Sequence, residues 1–185
     1  RNQGYAPIAC WDLTGDGVTA TTLASGEVAT RAYRQALREW QLLMASALVG
    51  MGDACLDIAV EHAKSRFAFG VPIGTFQAVA HPIVDVANAV EGARRLTRKA
   101  AWFEDFEPST APELVPMAYR HAEHAAVLAS RVAVHVLGGV GFTAEADAQL
   151  YFRRAKGWTL VAGDPDDAFD AVADHLYGPA GEVTP

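Results

Sequence analysis

The chain has 185 residues, a net charge of −7 and a pI of about 5.3, so its surface is predominantly acidic. An acidic surface argues against nucleic acid as the main partner, because phosphate binding needs a basic surface. The composition is 51% hydrophobic and 20% charged, which is ordinary for a soluble globular domain. No apolar run approaches the roughly 18 to 20 residues that span a bilayer, and no signal peptide is visible, so we expect no membrane partner.

The two cysteines, Cys10 and Cys55, are far apart in the sequence and form no Cys-x-x-Cys motif. A disulfide framework is therefore not expected. Free thiols of this kind are typical of a reducing compartment, so we predict a cytoplasmic location.

Residues 1–26 alternate in character and carry turn signals. The stretch "DLTGDG" predicts a turn, and "VTATTLA" predicts a short strand rich in β-branched residues. Two lone strands cannot form a sheet with its own core. We therefore expect this segment to be the end of a β-domain whose remainder lies outside this chain.

Residues 27–178 have helical periodicity. From about Glu27 to Ser65, apolar residues recur at alternating steps of three and four, which predicts one long amphipathic helix. The predicted apolar stripe is Leu37, Trp40, Met44, Ala47, Met51, Ala54 and Ile58. The helix is then broken by Gly70, Pro72 and Gly74.

Four more helices are predicted to follow. The second is predicted from Thr75 to Phe106, with a kink or a late start at Pro82, and the third from about Ala111 to Leu137. The second helix carries a stripe of Val79, Ile83, Val86, Val90 and Ala93. The predicted N-cap of the third helix is Ser109 or Thr110. A fourth helix is predicted from the cap Thr143 to about Val161. A last helix is predicted to begin at the cap Asp164 and to end near Tyr177 and Gly178. Residues 179–185 are predicted to be a loose tail.

Long antiparallel helices joined by short loops predict a mainly α fold, an antiparallel four-helix-type bundle. His121 and His124 lie one helical turn apart and raise the question of a metal site. A di-iron bundle needs a Glu-x-x-His motif on each of two helices, and this chain has none, so we expect no metal.

Two motifs suggest a ligand near the helix ends. The stretch "GGVGF", from Gly138 to Phe142, follows a helix and is not a dinucleotide-binding Gly-x-Gly-x-x-Gly. It is either a plain interhelical turn or a place where the backbone approaches a ligand closely. In "SRFAFGVPIGTFQ", Arg66 is either paired with a carboxylate or free to hold a pyrophosphate through its planar fork.

The segments "AKSRFAFGVPIGTFQAVAH" and "VHVLGGVGFTAEADAQLYFRRAK" together resemble the C-terminal helical domain of the acyl-CoA dehydrogenase family. The resemblance covers residues from about 17 to 178. It implies an N-terminal helical domain, a middle β-domain and this helical bundle, of which the chain holds the last part.

The resemblance also implies a cofactor, FAD, that lies between two subunits. In this family the helical domain of one subunit contacts the pyrophosphate and adenosine of the neighbour's FAD. By that resemblance Arg66 meets the pyrophosphate, and Phe69 and Gln77 line the adenosine side. Gly138 and Gly139 allow the backbone to approach, and His135 stands where the family has a glutamine.

The family reaction removes an α-proton with a glutamate while the β-hydrogen leaves as hydride to the flavin. A desolvated glutamate suits this role because its pKa can be tuned towards neutral pH. In most members that glutamate precedes a glycine, and the matching residue here is Ala162. In others it lies on the first long helix, where the match is Trp40. A shift of one residue in register would place Glu39 there, about 100° around the helix.

Three hypotheses follow. The first is a non-catalytic subunit that completes the FAD site of a homologous catalytic acyl-CoA dehydrogenase subunit in an α2β2 heterotetramer. The resemblance to actinobacterial members of this kind suggests a steroid-derived acyl-CoA substrate and electron-transfer flavoprotein or a similar acceptor. The second is a self-sufficient homomeric dehydrogenase that uses Glu39 or a residue outside this chain. The third is a scaffold or binding protein without flavin.

Overall fold

The computed structural model describes residues 21–162 and 167–178, and five α-helices dominate this part of the chain. A two-stranded hairpin joins the first two helices. The helices are α1 (Gly26–Ser65), α2 (Gln77–Phe106), α3 (Leu114–Leu137), α4 (Asp147–Gly157) and α5 (Asp167–Tyr177), and the strands are β1 (Phe67–Ala68) and β2 (Val71–Pro72). The predicted mainly α, helical-bundle fold is therefore confirmed. Residues 1–20 lie outside the described part, so the predicted β-domain remnant stays a prediction.

The long helices alternate in direction. Near its start, α1 contacts the end of α2 through Arg38 and Glu104. Near its end, α1 contacts the segment before α2, because a Cβ on Gly74 would lie 3.1 Å from the Ala63 carbonyl oxygen. Pro82 in the first turns of α2 and His135 in the last turn of α3 line one groove. The C-terminal end of α1, the N-terminal end of α2 and the C-terminal end of α3 therefore lie at one end of the bundle.

The core is built largely from small side chains on α1, α2 and α3. The buried residues of α1 are Ala45, Leu48, Val49, Met51, Gly52, Cys55, Ala59 and Ala63. Gly52 is required here, since a Cβ at this position would come within 2.8 Å of a Val90 methyl group. Cys55 is a free thiol in this core, and burial raises its pKa to about 12. Close helix approach through small residues explains why so much alanine is compatible with a packed interior.

The predicted α1 stripe is only partly correct. Met51 is buried, and Trp40 and Met44 pack against the core, but Ala47 is exposed. The buried face is rotated towards Ala45 and Leu48, because α1 must face α3 as well as α2. The α2 stripe is confirmed: Val86, Val90 and Ala93 are buried, and Val79 and Ile83 pack against the core.

Several predicted helix boundaries are wrong. α2 begins at Gln77, after a 3-10 turn and two residues beyond the predicted Thr75. Pro82 lies inside the helix, so the predicted alternative of a late start at Pro82 is wrong. α3 begins at Leu114, after the predicted caps Ser109 and Thr110.

The start of α4 also differs from the prediction. Thr143 does not cap it, since its hydroxyl donates back to the Val140 carbonyl at 2.9 Å, and α4 runs only from Asp147 to Gly157. A 3-10 turn that begins at Thr159 and ends at Ala162 follows. Asp164 lies outside the described residues. At the end of α5, Gly178 adopts a positive φ of 84°, which agrees with the predicted stop.

Two helical segments are long and apolar enough to cross a membrane by length and composition alone. They are Gly26–Ser65 and Leu114–Phe142, each with a mean hydropathy of 1.6 in its most apolar window. The expectation that no segment reaches this length is therefore wrong. Both segments contribute buried residues to the bundle core, and core helices of a bundle have the same length and hydropathy.

Candidate functional site

The hairpin between α1 and α2 carries the first group of predicted cofactor residues. Arg66 ends α1, where its N–H donates to the His62 carbonyl at 2.9 Å and its own carbonyl accepts from Ile73 at 2.8 Å. The Arg66 backbone is thereby fixed while its side chain is exposed. Within the described ranges no hydrogen bond or ion pair reaches that side chain, so the carboxylate-paired alternative finds no support there. Gln77 is exposed as the first residue of α2.

Phe69 occupies a strained position at the tip of this hairpin. Phe67 pairs with Pro72 and Ala68 with Val71, which leaves Phe69 and Gly70 as the two loop residues. Their φ angles are 54° and 84°, and the two-residue type I′ turn requires positive values at both positions.

A bulky residue at positive φ is a genuine outlier that costs about 1–3 kcal/mol. The Phe69 ring is 96% exposed, and its one ring contact in the described structure is an edge-on contact with Phe76 at 6.2 Å. The fold therefore presents an aromatic ring to the outside at a cost in free energy. Strained, exposed residues of this kind cluster at ligand-binding sites.

The end of α3 carries the second group. His135 lies exposed in the last turn of α3. Gly138 ends the helix with φ at 64°, so glycine is favoured there by conformation. Gly141 is favoured by packing, because a Cβ would lie 2.7 Å from the Val134 carbonyl oxygen. Gly139 has neither reason, since a Cβ on it would meet no atom within 4 Å and its φ is not positive.

The alternating helix directions bring these two groups to the same end of the bundle. The first 3-10 turn after α3 and the first turns of α2 line a common groove, which includes Pro82, His135 and Phe142. Arg131, which the sequence reasoning did not single out, lines the same groove one helical turn before His135. The spacing of four residues could have indicated that both side chains share a helix face.

Trp40 and Ala162, the two positions to which the resemblance assigns the family's base, lie elsewhere. Trp40 is about 39 Å along α1 from Arg66, at ~1.5 Å per residue. Its ring centroid is 5.5 Å from that of Tyr119 on α3, at an interplanar angle of 58°. The Tyr119 hydroxyl donates to the Thr159 carbonyl at 2.8 Å, and Thr159 begins the 3-10 turn that ends at Ala162. These contacts bring α1, α3 and the Ala162 turn together.

Tyr119 is the central residue of this second region, and the sequence reasoning missed it. It is 3% exposed, and burial followed by the nearby Glu123 carboxylate raises its pKa to about 12. The phenol therefore stays protonated and acts as a donor to the turn. No sequence signal distinguishes it from a core aromatic, because its acceptor is 40 residues away.

Glu39 points away from this region. It is exposed, and its carboxylate accepts a hydrogen bond from Gln35 at 3.1 Å. Gln35 also contacts Glu104 at 3.4 Å, which places the exposed Glu39 beside the partly buried Arg38–Glu104 pair. Nothing in this environment desolvates the carboxylate.

His121 and His124 line a cavity between α2, α3 and α5. Burial, and then the neighbouring His124, lower the pKa of His121. Over residues 21–162 and 167–178, no group of three or more metal-binding side chains comes together.

Comparisons with known proteins identify the family of the chain. The profile of the family described as "Acyl-CoA dehydrogenase, C-terminal domain" matches residues 23–177. The chain therefore belongs to the acyl-CoA dehydrogenase family and corresponds to its C-terminal domain. It is 36% identical over 136 residues to the acyl-CoA dehydrogenase IpdE2 of Mycolicibacterium smegmatis, which covers 74% of this chain and 42% of that protein.

Two solved structures are similar in fold. One is a glutaryl-coenzyme A dehydrogenase in complex with glutaryl-CoA, with a TM-score of 0.75 and 31% identity over 80% of this chain and 38% of the other. The second is the ChsE4–ChsE5 complex from Mycobacterium tuberculosis, with a TM-score of 0.69 and 29% identity over 76% of this chain and 38% of the other. The chain spans 32% to 42% of the length of the curated relatives compared with it.

Proposed function

We propose that this chain is a subunit of an FAD-dependent acyl-CoA dehydrogenase that completes the FAD site of a homologous catalytic subunit. The reaction is α,β-dehydrogenation of an acyl-CoA thioester. The observation that carries this proposal is the hairpin, where Phe69 is exposed at an unfavourable φ and the Arg66 side chain at its base is also exposed. Family membership supports the reaction class.

The exposed residues at this end of the bundle fit the pyrophosphate and adenosine of a neighbour's FAD. Arg66 offers a planar cation that matches phosphate oxygens. Phe69 offers an aromatic face for stacking, and Gln77 offers an amide donor and acceptor. The open space over Gly139 admits a ligand that comes from outside this chain.

His135 supplies a further hydrogen-bonding group at the same end of the bundle. It replaces the amide that the family places at this position, and a neutral imidazole can still donate one hydrogen bond. Bound FAD would supply the hydride acceptor. The residues named here would bind and orient it.

The chain itself offers no group to remove the α-proton at either family position. Ala162 has no titratable group, and Trp40 packs against Tyr119. Tyr119 cannot substitute, since a pKa of about 12 keeps its phenol protonated at neutral pH. Glu39 is exposed, and its carboxylate accepts a hydrogen bond from the exposed Gln35 and takes no part in the Trp40–Tyr119 contact. We therefore propose that the partner subunit supplies the base.

The likeness to the two-protein ChsE4–ChsE5 complex supports a heteromeric assembly, for which we propose an α2β2 heterotetramer. A steroid-derived acyl-CoA substrate, electron-transfer flavoprotein as acceptor and a cytoplasmic location belong to the same proposal. They rest on the resemblance to actinobacterial members of the family.

Co-expression tests the proposal. The chain purified alone should be nearly colourless and inactive, whereas the complex with its catalytic partner should carry flavin absorbance and oxidise acyl-CoA. A yellow, active homo-oligomer would contradict it. Arg66→Ala in the complex should lower the flavin-to-protein ratio by weakening FAD binding about 10- to 100-fold, as expected for loss of a charge-assisted hydrogen bond.

Arg98→Ala is the matched control, because Arg98 is an exposed arginine on α2 outside the proposed site. It should leave the flavin content unchanged. Glu39→Gln tests the self-sufficient alternative: unchanged activity of the complex removes Glu39 as base, and loss of activity would restore it. A flavin-free native complex with full partner binding would instead favour a scaffold.

A further inference from the structure

A cavity of about 380 Å³ lies between α2, α3 and α5, away from both regions described above. The apolar part of its wall comes from all three helices and includes Leu96, Met117, Phe169 and Val172. On α3 the cavity is about 21 Å from His135, at ~1.5 Å per residue. Its α3 residues lie on a different face from Tyr119, which contacts α1 and the Ala162 turn.

Arg120 is the one permanently charged side chain among the described residues that line this cavity, and other groups of the chain engage it. Its guanidinium lies 5.2 Å from the centre of the Phe169 ring of α5, and it pairs with the buried Glu123 carboxylate. It makes a further interaction within the chain as well. Arg120 is therefore not a free counter-charge for a ligand. A charged ligand would lose its hydration in this cavity without a fixed opposite charge to replace it.

Two imidazoles supply the other polar groups of the wall. His121 and His124 lie one turn apart on α3, and neither makes a hydrogen bond within residues 21–162 and 167–178. The His121 ring lies against Gly92 of α2, where a Cβ would be 3.1 Å from its Nε2 atom, so the absence of a side chain at Gly92 makes room for the ring. Partial burial, and then the neighbouring His124, lower the pKa of His121, so its ring is uncharged at neutral pH. A neutral imidazole offers one hydrogen-bond donor and one acceptor.

From this geometry we infer that the cavity binds an uncharged, largely apolar molecule that bears a hydroxyl group. The apolar body would pack on Leu96, Phe169 and Val172. The hydroxyl, which can both donate and accept, would bond to the imidazole of His121. Apolar cavities with a few convergent polar groups are typical of small-molecule sites, and a volume of this size falls within their range. The inference does not depend on the proposed function, because it uses neither FAD nor the partner subunit.

Calorimetric titration of the 185-residue chain with benzyl alcohol tests the inference, and benzoate serves as the charged comparison with the same ring. Benzyl alcohol should bind one site with a dissociation constant at or below about 1 mM. Benzoate should bind at least about tenfold more weakly, because its carboxylate must be desolvated. Equal or tighter binding of benzoate would overturn the uncharged class. Absence of benzyl alcohol binding would overturn the site.

Variants that fill the cavity locate the site. Met117→Trp, at a partly exposed lining position of α3, should abolish binding of benzyl alcohol. Leu43→Trp, at an exposed position on α1, is the matched control and should bind as the unmodified chain does. Val172→Trp fills the cavity from α5, so the site is tested even where Met117→Trp does not fold. Circular dichroism checks folding, and unchanged binding in a folded cavity-filling variant would overturn the site.

A third substitution tests the hydroxyl. His121→Phe keeps an aromatic ring but removes both nitrogen atoms, so it should weaken binding of benzyl alcohol about 3- to 10-fold, the net effect of one hydrogen bond. His81→Phe replaces an exposed histidine on α2 outside the cavity and should leave the affinity unchanged. Full affinity in folded His121→Phe would overturn the assignment of the hydroxyl to this imidazole.

Discussion

Three glycines at the end of α3 allow the cofactor proposal to be separated from the stability of the fold. Gly139 and Gly141 lie two residues apart in the same turn, and each can be replaced by alanine. At Gly141 the new Cβ would lie 2.7 Å from the Val134 carbonyl oxygen and 3.1 Å from the Leu137 Cβ. Favourable contacts between carbon atoms lie at about 3.5–4.0 Å, so the turn or the end of α3 must shift.

The two substitutions should therefore differ in their effect on the free energy of unfolding. Overpacking of this kind costs about 1–3 kcal/mol, which corresponds to a fall in Tm of roughly 2–4 °C per kcal/mol for a chain of this length. Gly141→Ala should therefore lower Tm by about 4–8 °C if the cost is ~2 kcal/mol. Gly139→Ala meets no atom within 4 Å and should change the free energy of unfolding by less than about 0.5 kcal/mol.

The flavin content, unlike the stability, should be sensitive to the substitution at Gly139. In the co-expressed complex, Gly139→Ala should reduce the flavin-to-protein ratio, because its methyl group enters the space proposed for the neighbour's FAD. Urea unfolding followed by circular dichroism measures the stability of the chain alone, and visible absorbance measures flavin in the complex. Equal destabilisation by both substitutions would refute the packing argument. Full flavin retention in Gly139→Ala would refute the placement of Gly139 at the cofactor.

The remaining predictions concern the Phe69 hairpin and the Arg38–Glu104 pair. Phe69→Asn should keep or slightly raise Tm, because asparagine tolerates positive φ. Flavin retention in the complex should fall. A drop in Tm of more than about 4 °C would show instead that the ring stabilises the fold. Arg38→Ala should lower the free energy of unfolding by about 3 kcal/mol, because it leaves a largely buried carboxylate unpaired. The substitution removes hydrogen bonds to Glu104 at 3.1 and 3.2 Å and to the Pro112 carbonyl at 2.9 Å. Urea unfolding measures the effect, with Arg98→Ala as control. Arg38 holds the pKa of Glu104 below its usual range, so the pair stabilises the fold above the ordinary carboxyl pKa. That stability should be lost as the pH falls through the lowered pKa, and a variant with Arg38→Met and Glu104→Leu should lack this acid dependence.

The helical class of the chain and the positions of its long helices were predictable from the sequence. Apolar residues at steps of three and four specify a helix whatever surrounds it, and Gly70, Pro72 and Gly74 end it for reasons within the chain itself. The helix ends were less predictable. Thr143 has the side chain of a good cap, yet its hydroxyl bonds back to Val140, because a 3-10 turn continues directly from α3.

The candidate site was likewise predictable only in part from the sequence. Arg66 and Gly138 could be singled out because a helix end, a glycine and an arginine each have a local physical meaning. Only the tertiary structure decided that Arg66, Phe69 and His135 share one end of the bundle, since this depends on how α1, α2 and α3 alternate in direction. It also decided which of three similar glycines is free of internal constraint.

What remained hidden from the sequence depends on contacts between distant segments. Tyr119 looks like any core aromatic until its hydroxyl meets the Thr159 carbonyl, and the buried face of α1 was misplaced because α1 contacts two helices at once. The sequence by itself placed an alanine at 162 and a tryptophan at 40, the two positions to which the family resemblance assigns the base. The structure decided that Trp40 packs against Tyr119 beside the turn that carries Ala162, because only folding brings α1, α3 and that turn together.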